Sequence, residues 1–414
     1  MKLAVIGSGI SGMASAWLAS REHDVTLFEA DDYIGGHTHT HDIDIGGKAL
    51  RVDTGFIVFN PENYPLLCRL FDELGVDTQP TTMSFAVRNE SSGLEYNATD
   101  IAGLFCQKRN LVSPRFLRML RDIARFYREA PQLLDEDEDG PSLGDYLAQQ
   151  RYSASFRDDH LLPMASALWS SPSGQVTHFP VKYLVRFMAN HRMLQARDRP
   201  QWRVVKGGSN AYVRALRSRW HVRERVACAV TSVRRERDGV RVDSAGGSER
   251  FDQIVLACHS DQALGLLADP GDAERDILGA IRYQANDTVL HTDASVLPRR
   301  RAAWAAWNAL VPETPRDQCT VSYCMNLLQS LDASEPIVVS LNSTARIAPQ
   351  KILRRMRYAH PVYTHAAVRA QRRRHEIQGV NRTWFAGAYW GWGFHEDGMR
   401  SAVDVATGLG VRWS

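Results

Sequence analysis

No run of 18 or more apolar residues occurs in the 414-residue chain, so the sequence offers no membrane-spanning helix. Its six cysteines, Cys68, Cys106, Cys228, Cys258, Cys319 and Cys324, form no CxxC pair. Scattered single cysteines fit a reducing compartment better than a disulfide framework. The cysteines form no metal-ligand spacing with His. His160, His178, His191 and His291 stand apart from one another and read as core or surface histidines, so no metal is expected. A net charge of +3 is too small to imply a nucleic-acid partner. No G-x-S-x-G elbow is present, which leaves Ser-His-Asp hydrolysis unsupported. The apolar run ending at Gly7 is too short for a signal peptide, and a cytoplasmic protein is expected.

What is present is an ordinary globular composition, 44% hydrophobic and 23% charged, over a length that predicts two lobes. Residues 2–6 are continuously apolar, as in a buried parallel strand. Residues 10–21 carry Ile10, Met13, Ala14, Trp17 and Leu18 at helical spacing, and Asp24 to Phe28 is β-rich. Strand, glycine turn, helix and strand in about 30 residues make a βαβ unit. Residues 42–58 predict a hairpin about Gly46-Gly47, and 83–98 another about Ser91-Ser92-Gly93. Helices are predicted over 62–74, over 114–129 with Pro114 at the start, and in the second half of 161–197. The acidic run Asp135 to Asp139 reads as a solvated loop. Residues 221–233, 240–246 and 251–258 are three β-rich runs. The end, 384–409, is strand-like, then rich in Gly and aromatics, then helical.

Gly7-Ser8-Gly9-Ile10-Ser11-Gly12 is a GxGxxG. The first glycine permits the turn, the second lets backbone approach a pyrophosphate, and the third lets helix and strand pack closely. The helix start offers free N–H groups to phosphate. Glu29, at the end of the second strand, stands where an acid bonds ribose hydroxyls. These features together point to a dinucleotide without separating NAD from FAD.

The following residues make that separation. Gly35-Gly36-His37-Thr38 and then Asp53-Thr54-Gly55-Phe56 resemble the FAD-dependent superfamily of amine oxidases, phytoene desaturases and protoporphyrinogen oxidases. The resemblance continues at Val230, Gly239-Val240 and Asp252 to Ala257, and at Phe385-Ala386-Gly387 with Glu396-Asp397-Gly398-Met399. Beyond these segments the chain looks like a bacterial subfamily described as predicted NAD/FAD-binding oxidoreductases. That subfamily often occurs with cyclopropane-fatty-acid-synthase-like methyltransferases.

The resemblance implies an α/β fold: a Rossmann-type FAD-binding domain with an inserted α+β substrate domain. The FAD-binding part would be discontinuous over 1–60, 201–270 and 380–414, with the substrate domain over 61–200 and 271–379. It also implies FAD contacts from Gly7, Gly9, Ile10, Ser11, Gly12, Glu29, Ala30, Gly35, Gly36, His37, Thr38, Thr54, Gly55, Phe56, Val230, Ala257, Gly387, Asp397, Gly398 and Met399. In such relatives the last helix points its start at the flavin pyrimidine, and glycine at 398 is expected to permit close backbone approach to the ring.

Four departures matter. Ala388-Tyr389 stand where many relatives carry an acid, and His37 replaces a residue that is often Arg. No cysteine follows Cys324, so the flavin is expected to be noncovalent. A second GxGxxG is missing, so electrons are expected to leave to oxygen, a quinone or a protein rather than return from NADPH.

Tyr389 to His395 is read as an aromatic wall over the flavin, with Trp390 and Trp392 lining the substrate and His395 or Glu396 as proton acceptor. Lys206-Gly207-Gly208-Ser209 reads as a glycine turn with Ser209 capping the next helix. Arginines 115, 118, 121, 125 and 128 fall mostly on one helical face. A solvated face is the simpler reading, with peripheral contact to anionic lipid as the other. The oligomeric state is open. The expected chemistry is hydride removal from a small or lipid-like substrate to flavin N5. A flavin amine oxidase and a flavin-binding accessory protein without turnover are the alternatives. The purified protein should be yellow and release FAD, not FMN, on acid or heat treatment. A colourless protein that takes up NAD but no added FAD would contradict the cofactor reading.

Overall fold

The computed structural model describes residues 1–135, 139–195, 197–314 and 318–413. Its organising element is a five-stranded parallel sheet in the order Val222–Arg225, Asp24–Phe28, Lys2–Ile6, Gln253–Leu256 and Thr383–Phe385. Leu3, Val5, Leu27 and Val255 face one core, and Ala4, Ile6, Phe28, Ile254 and Leu256 face another. Both faces are covered, which is why these strands read as unbroken apolar runs. Every residue of helix Ile10–Ala19 is buried. It packs between the sheet and the last helix, His395–Gly408. The opposite face carries an antiparallel sheet of Val230–Glu236, Gly239–Ser244 and Gly247–Phe251, with helices Ser260–Leu266 and Asp272–Gly279. This is the α/β arrangement the sequence predicts.

A second, seven-stranded mixed sheet runs Ile352–Pro361, Tyr283–His291, Val338–Leu341, Val321–Cys324, Trp307–Val311, Phe85–Asn89 and Glu95–Asn97. Helices between residues 114 and 190 bury Phe116, Phe126, Phe156, Leu184 and Phe187 against Val87, Tyr96 and Ala309 of that sheet. The predicted hairpin is present as Thr40–Ile45 and Lys48–Asp53. Its outer turn uses Gly46 and Gly47, both at positive φ (62° and 82°), a region that favours glycine.

Several expectations need correction. The run 221–233 is two strands, not one: the chain turns at Ala227 (φ 51°). Its first half joins the parallel sheet beside Val25 to Phe28, and its second half opens the antiparallel sheet. The run 251–258 likewise breaks at Asp252, whose N–H donates to the Lys2 carbonyl (2.9 Å) and whose carboxylate accepts from the Lys2 N–H (2.6 Å). Residues 161–176 are also helical, as Leu162–Trp169 and Ser173–Val176, in addition to the predicted second half. The helix expected from residue 62 starts at Pro65, because proline needs no N–H partner at a helix start. Its Leu67, Leu70, Phe71 and Leu74 pack into the core of the parallel sheet, although the chain position had placed it with the second lobe. In the acidic run, Asp139 pairs with Arg372, and residues 136–138 lie outside the described residues. No helix among the described residues is long and apolar enough to cross a membrane. All six cysteines are unpaired.

Candidate functional site: two glycine loops and a histidine cluster

The first glycine turn is closed by contacts that exclude any side chain. A Cβ on Gly12 would lie 1.8 Å from the Gly7 carbonyl oxygen, and one on Gly7 would lie 2.9 Å from that of Ala257. Gly7 also has φ 98°. Gly9 is different: a Cβ there would meet nothing within 4 Å. Two of the three motif glycines are thus demanded by the protein's own packing. The third faces open space, as a residue approached by a ligand should. Ile10 and Ser11 are buried at the start of the helix.

Glu29 ends the second strand. Its carboxylate accepts from the Ser8 N–H (2.9 Å), the Ser8 hydroxyl and the Asp31 N–H (2.9 Å). The same Ser8 hydroxyl accepts from the Gly35 N–H (3.1 Å). The acid and the two glycine loops are therefore one hydrogen-bonded unit. A Cβ on Gly36 would come within 2.9 Å of Gly9 Cα, so the loops touch backbone to backbone. Ala30 is exposed beside Glu29. The Cys228 N–H donates to the Glu29 carbonyl (2.8 Å), which brings the approach to half-buried Val230 alongside.

The returning hairpin lies on the second glycine loop. The Phe56 N–H donates to the His37 carbonyl (2.7 Å), and a Cβ on Gly55 would lie 2.1 Å from the same oxygen. Thr54 shares a hydrogen bond with Tyr358 (2.8 Å). Buried Asp53 accepts from the Thr40 hydroxyl, the Gln329 side-chain amide (3.0 Å), and both the N–H (2.8 Å) and hydroxyl (2.8 Å) of Ser209. Ser209 is thus committed to Asp53 and makes no side-chain cap of helix Asn210–Arg217, against the sequence reading. Burial pushes Asp53 up to about 6, against the lowering effect of these donors.

Beside the two loops lies a cluster that no motif announces. The His37 ring stands 4.8 Å from Tyr358, 5.4 Å from His360 and 6.4 Å from His259. His259 stacks on Tyr283 at 4.1 Å. Burial pushes His37 and His259 down to about 4 and His360 to about 3. Yet His37, His259, Tyr283 and His360 all keep accessible surface. The cluster is thus largely desolvated yet still partly open to solvent. Gly9, facing open space, stands next to it. Strand positions 283, 358 and 360 carry no sequence signal, since a lone Tyr or His in a strand is commonplace.

The C-terminal segment divides in two. A Cβ on Gly387 would strike the Tyr389 ring at 2.1 Å. Trp390 is buried against Ile6, Phe28 and Phe385, its indole donating to the Phe385 carbonyl (3.0 Å). Trp392 instead joins the helical core, edge-on to Tyr183 and Phe187, with its carbonyl held by the Trp169 indole (3.1 Å). The two tryptophans therefore do not form one wall.

The residues of the last helix are also taken up by the fold. His395 stacks on Phe56 at 3.6 Å and shares hydrogen bonds with Thr38 (3.1 Å) and Tyr212 (3.2 Å). Burial pushes it down to about 3. Both Glu396 oxygens accept backbone N–H groups, from Leu66 and Leu67 (3.1 Å each). That cap satisfies the start of helix Pro65–Leu74 and occupies the carboxylate expected to act as a base. Asp397 accepts from the N–H groups of Trp392 (3.0 Å) and Phe394 (3.1 Å). Gly398 is demanded by helix packing: its Cβ would lie 2.6 Å from Ile10 Cγ2 and 2.8 Å from Ser11 Oγ. Close approach to a flavin is not needed to explain it. Met399 is fully buried.

A parallel sheet whose first strand ends in a glycine turn, an acid bound to that turn and a second glycine loop laid against it define a dinucleotide-binding protein. The profile of the flavin containing amine oxidoreductase family matches residues 10–336, and the chain belongs to that family of FAD-dependent oxidoreductases. The cofactor is accordingly FAD. A tryptophan 2-monooxygenase of Allorhizobium ampelinum is 41% identical over 78 residues, 18% of this chain and 10% of that protein. A 1-hydroxycarotenoid 3,4-desaturase of a Flavobacterium species is 32% identical over 123 residues, 27% of this chain and 24% of that one. The matched segments thus span about a quarter or less of these relatives. A conjugated-linoleic-acid-producing fatty acid isomerase from P. acnes shares the fold, with a TM-score of 0.68 over 99% of this chain and 98% of its own, at 16% identity.

Gly9→Ala should leave the thermal midpoint of the apoprotein unchanged, since the methyl meets no protein atom. It should weaken FAD retention at least about tenfold, as an intruding Cβ forces the ligand back. Equal FAD affinity would show that Gly9 does not face the cofactor. Nine histidines, at 37, 39, 41, 160, 191, 259, 291, 360 and 395, are held below their ordinary value, with burial the largest cause in each. Unfolded, they bind protons at about pH 6.5. Their depressed folded values mean that stability is full above pH 6.5 and is lost as the pH falls toward 4. Each deeply buried one adds a slope of at most about 1.4 kcal/mol per pH unit, and the partly exposed His39 and His41 add less. Urea midpoints should fall steeply between about pH 7 and pH 5; a flat profile would contradict the neutral, buried assignment.

Proposed function

We propose that this oxidoreductase removes two hydrogens from a lipid- or isoprenoid-like chain, in the manner of a desaturase, with a role in modified fatty-acid metabolism. One C–H bond breaks with its electron pair, a proton leaves the neighbouring carbon, and a C=C bond forms. Bound FAD supplies the two-electron acceptor. The Gly9 and Gly36 backbones and the Ser8–Glu29 pair would hold it. Ala30, Thr38, Thr54, Phe56, Val230, Ala257, Gly387, Asp397 and Met399 complete the shell around it. His395 acts here as a positioning residue, fixing Thr38 and Phe56. Trp392, with Tyr183 and Phe187, would form the apolar wall on the substrate side, while Trp390 and Glu396 serve the fold. The discontinuous division at 1–60, 201–270 and 380–414 is supported by the parallel sheet, which draws its strands from those three segments.

The observation that carries the lipid reading is the charge state of the histidine cluster. Burial lowers His37, His259 and His360, with His259 adding to the effect on His37, and both His37 and His259 adding to that on His360. A substrate ammonium would meet uncharged imidazole rings there, which offer it no counter-charge of their own. The match to a carotenoid desaturase points the same way, and the match to a tryptophan monooxygenase supports the amine alternative. Anaerobic mixing of the yellow protein with a panel of unsaturated lipids, isoprenoids and amines separates the two. Bleaching by a lipid or isoprenoid is the expected result. Bleaching by amines alone would replace this reading with an amine oxidase.

A further inference from the structure

Of the seven large hydrophobic residues exposed among the described residues, four fall within 17 positions of chain: Ile101 (76% exposed), Leu111 (55%), Val112 (78%) and Leu117 (45%). They sit on three consecutive helical pieces, Ile101–Leu104, Lys108–Val112 and Pro114–Glu129. The pieces are tied together. The Asn110 amide donates to the Leu104 carbonyl (3.2 Å), and Ser113 caps the long helix through the Phe116 N–H (3.4 Å). Phe116, Met119 and Phe126 point into the core, so the long helix already has its buried face. The exposed aliphatic residues are surplus to it, and clustered exposed apolar side chains mark an interaction surface.

The charge around them states what kind. Residues 101–128 contain seven cations, Lys108 and six arginines, and one acid, Asp122. That acid is buried. Arg115 pairs with Asp159, and Arg125 and Arg128 pair with Glu129. Lys108 and Arg118 make no ion pair among the described residues, and Arg121 reaches Asp122 only at 3.7 Å. Aliphatic side chains set beside these unpaired or loosely paired cations complement a surface that is anionic outside and apolar beneath. The geometry points to a lipid-docking face: we propose that residues 101–121 seat the protein on an anionic phospholipid bilayer. Leu111, Val112 and Leu117 would enter the acyl boundary while Lys108, Arg118 and Arg121 meet the phosphates. The inference rests on this surface and not on the identity of the substrate.

Sedimentation of the FAD-loaded protein with vesicles tests it. Vesicles of equal phosphatidylglycerol and phosphatidylcholine should carry the protein down at about 0.1 M NaCl and release it at about 1 M, where the Debye length falls to about 3 Å. Pure phosphatidylcholine vesicles should bind far less. The double change Leu111→Glu and Val112→Glu should cut binding at least about tenfold, and so should Arg118→Glu with Arg121→Glu. Flavin absorbance per chain should stay unchanged in both, showing an intact fold. Failure to bind phosphatidylglycerol vesicles, or binding indifferent to both double changes, would overturn the proposal. So would a concentration-dependent dimer abolished by Val112→Glu in protein that ignores vesicles, since the face would then serve self-association.

Discussion

At the end of the first strand, three stretches of backbone meet at distances that leave no room for Cβ atoms. Gly12 sits on the Gly7 carbonyl, Gly7 sits on Ala257, and Gly36 sits on Gly9. Ser8 closes the group by donating to Glu29 and accepting from Gly35. The position of everything else at the site follows from this contact. It sets how the first helix leaves the sheet and where the second glycine loop lies. It also sets which way His37 projects. One face of the knot, at Gly9, is left open, and that is the face a pyrophosphate requires.

Around this knot the protein commits most of its polar groups to structure. Asp53 holds Thr40, Ser209 and Gln329; Glu396 and Asp397 hold backbone N–H groups; His395 is held between Phe56, Thr38 and Tyr212. Buried polar groups must be satisfied, and these satisfy one another. The imidazoles of His37, His259 and His360 keep partial exposure, and burial disfavours their charged forms.

The C-terminal segment shows how a motif can be read correctly as important and wrongly as to reason. Gly398 is in the family pattern, but its Cβ would collide with Ile10 and Ser11, so helix packing accounts for it. Trp390 and Trp392 are two residues apart and end in different cores, because the turn at Gly391 sends one indole to the parallel sheet and the other to the helical layer. Sequence spacing cannot show this, since a glycine turn has no fixed side-chain period.

The sequence by itself determined the βαβ unit, its glycine turn, the acid at Glu29 and the parallel sheet's apolar strands, and so a dinucleotide site. Those features arise from neighbouring residues, whose periodicity and backbone freedom are written in order along the chain. Only the tertiary structure decided that the run 221–233 feeds two sheets, and that helix Pro65–Leu74 joins the first core. Only it placed Ser209 on Asp53 and brought His37, His259, Tyr358 and His360 together in one cluster. These four residues are separated by up to 323 positions and come from a loop, a strand end and a distant sheet. Their meeting depends on how the two sheets pack, a long-range choice made by burial of apolar surface and not encoded in any local pattern.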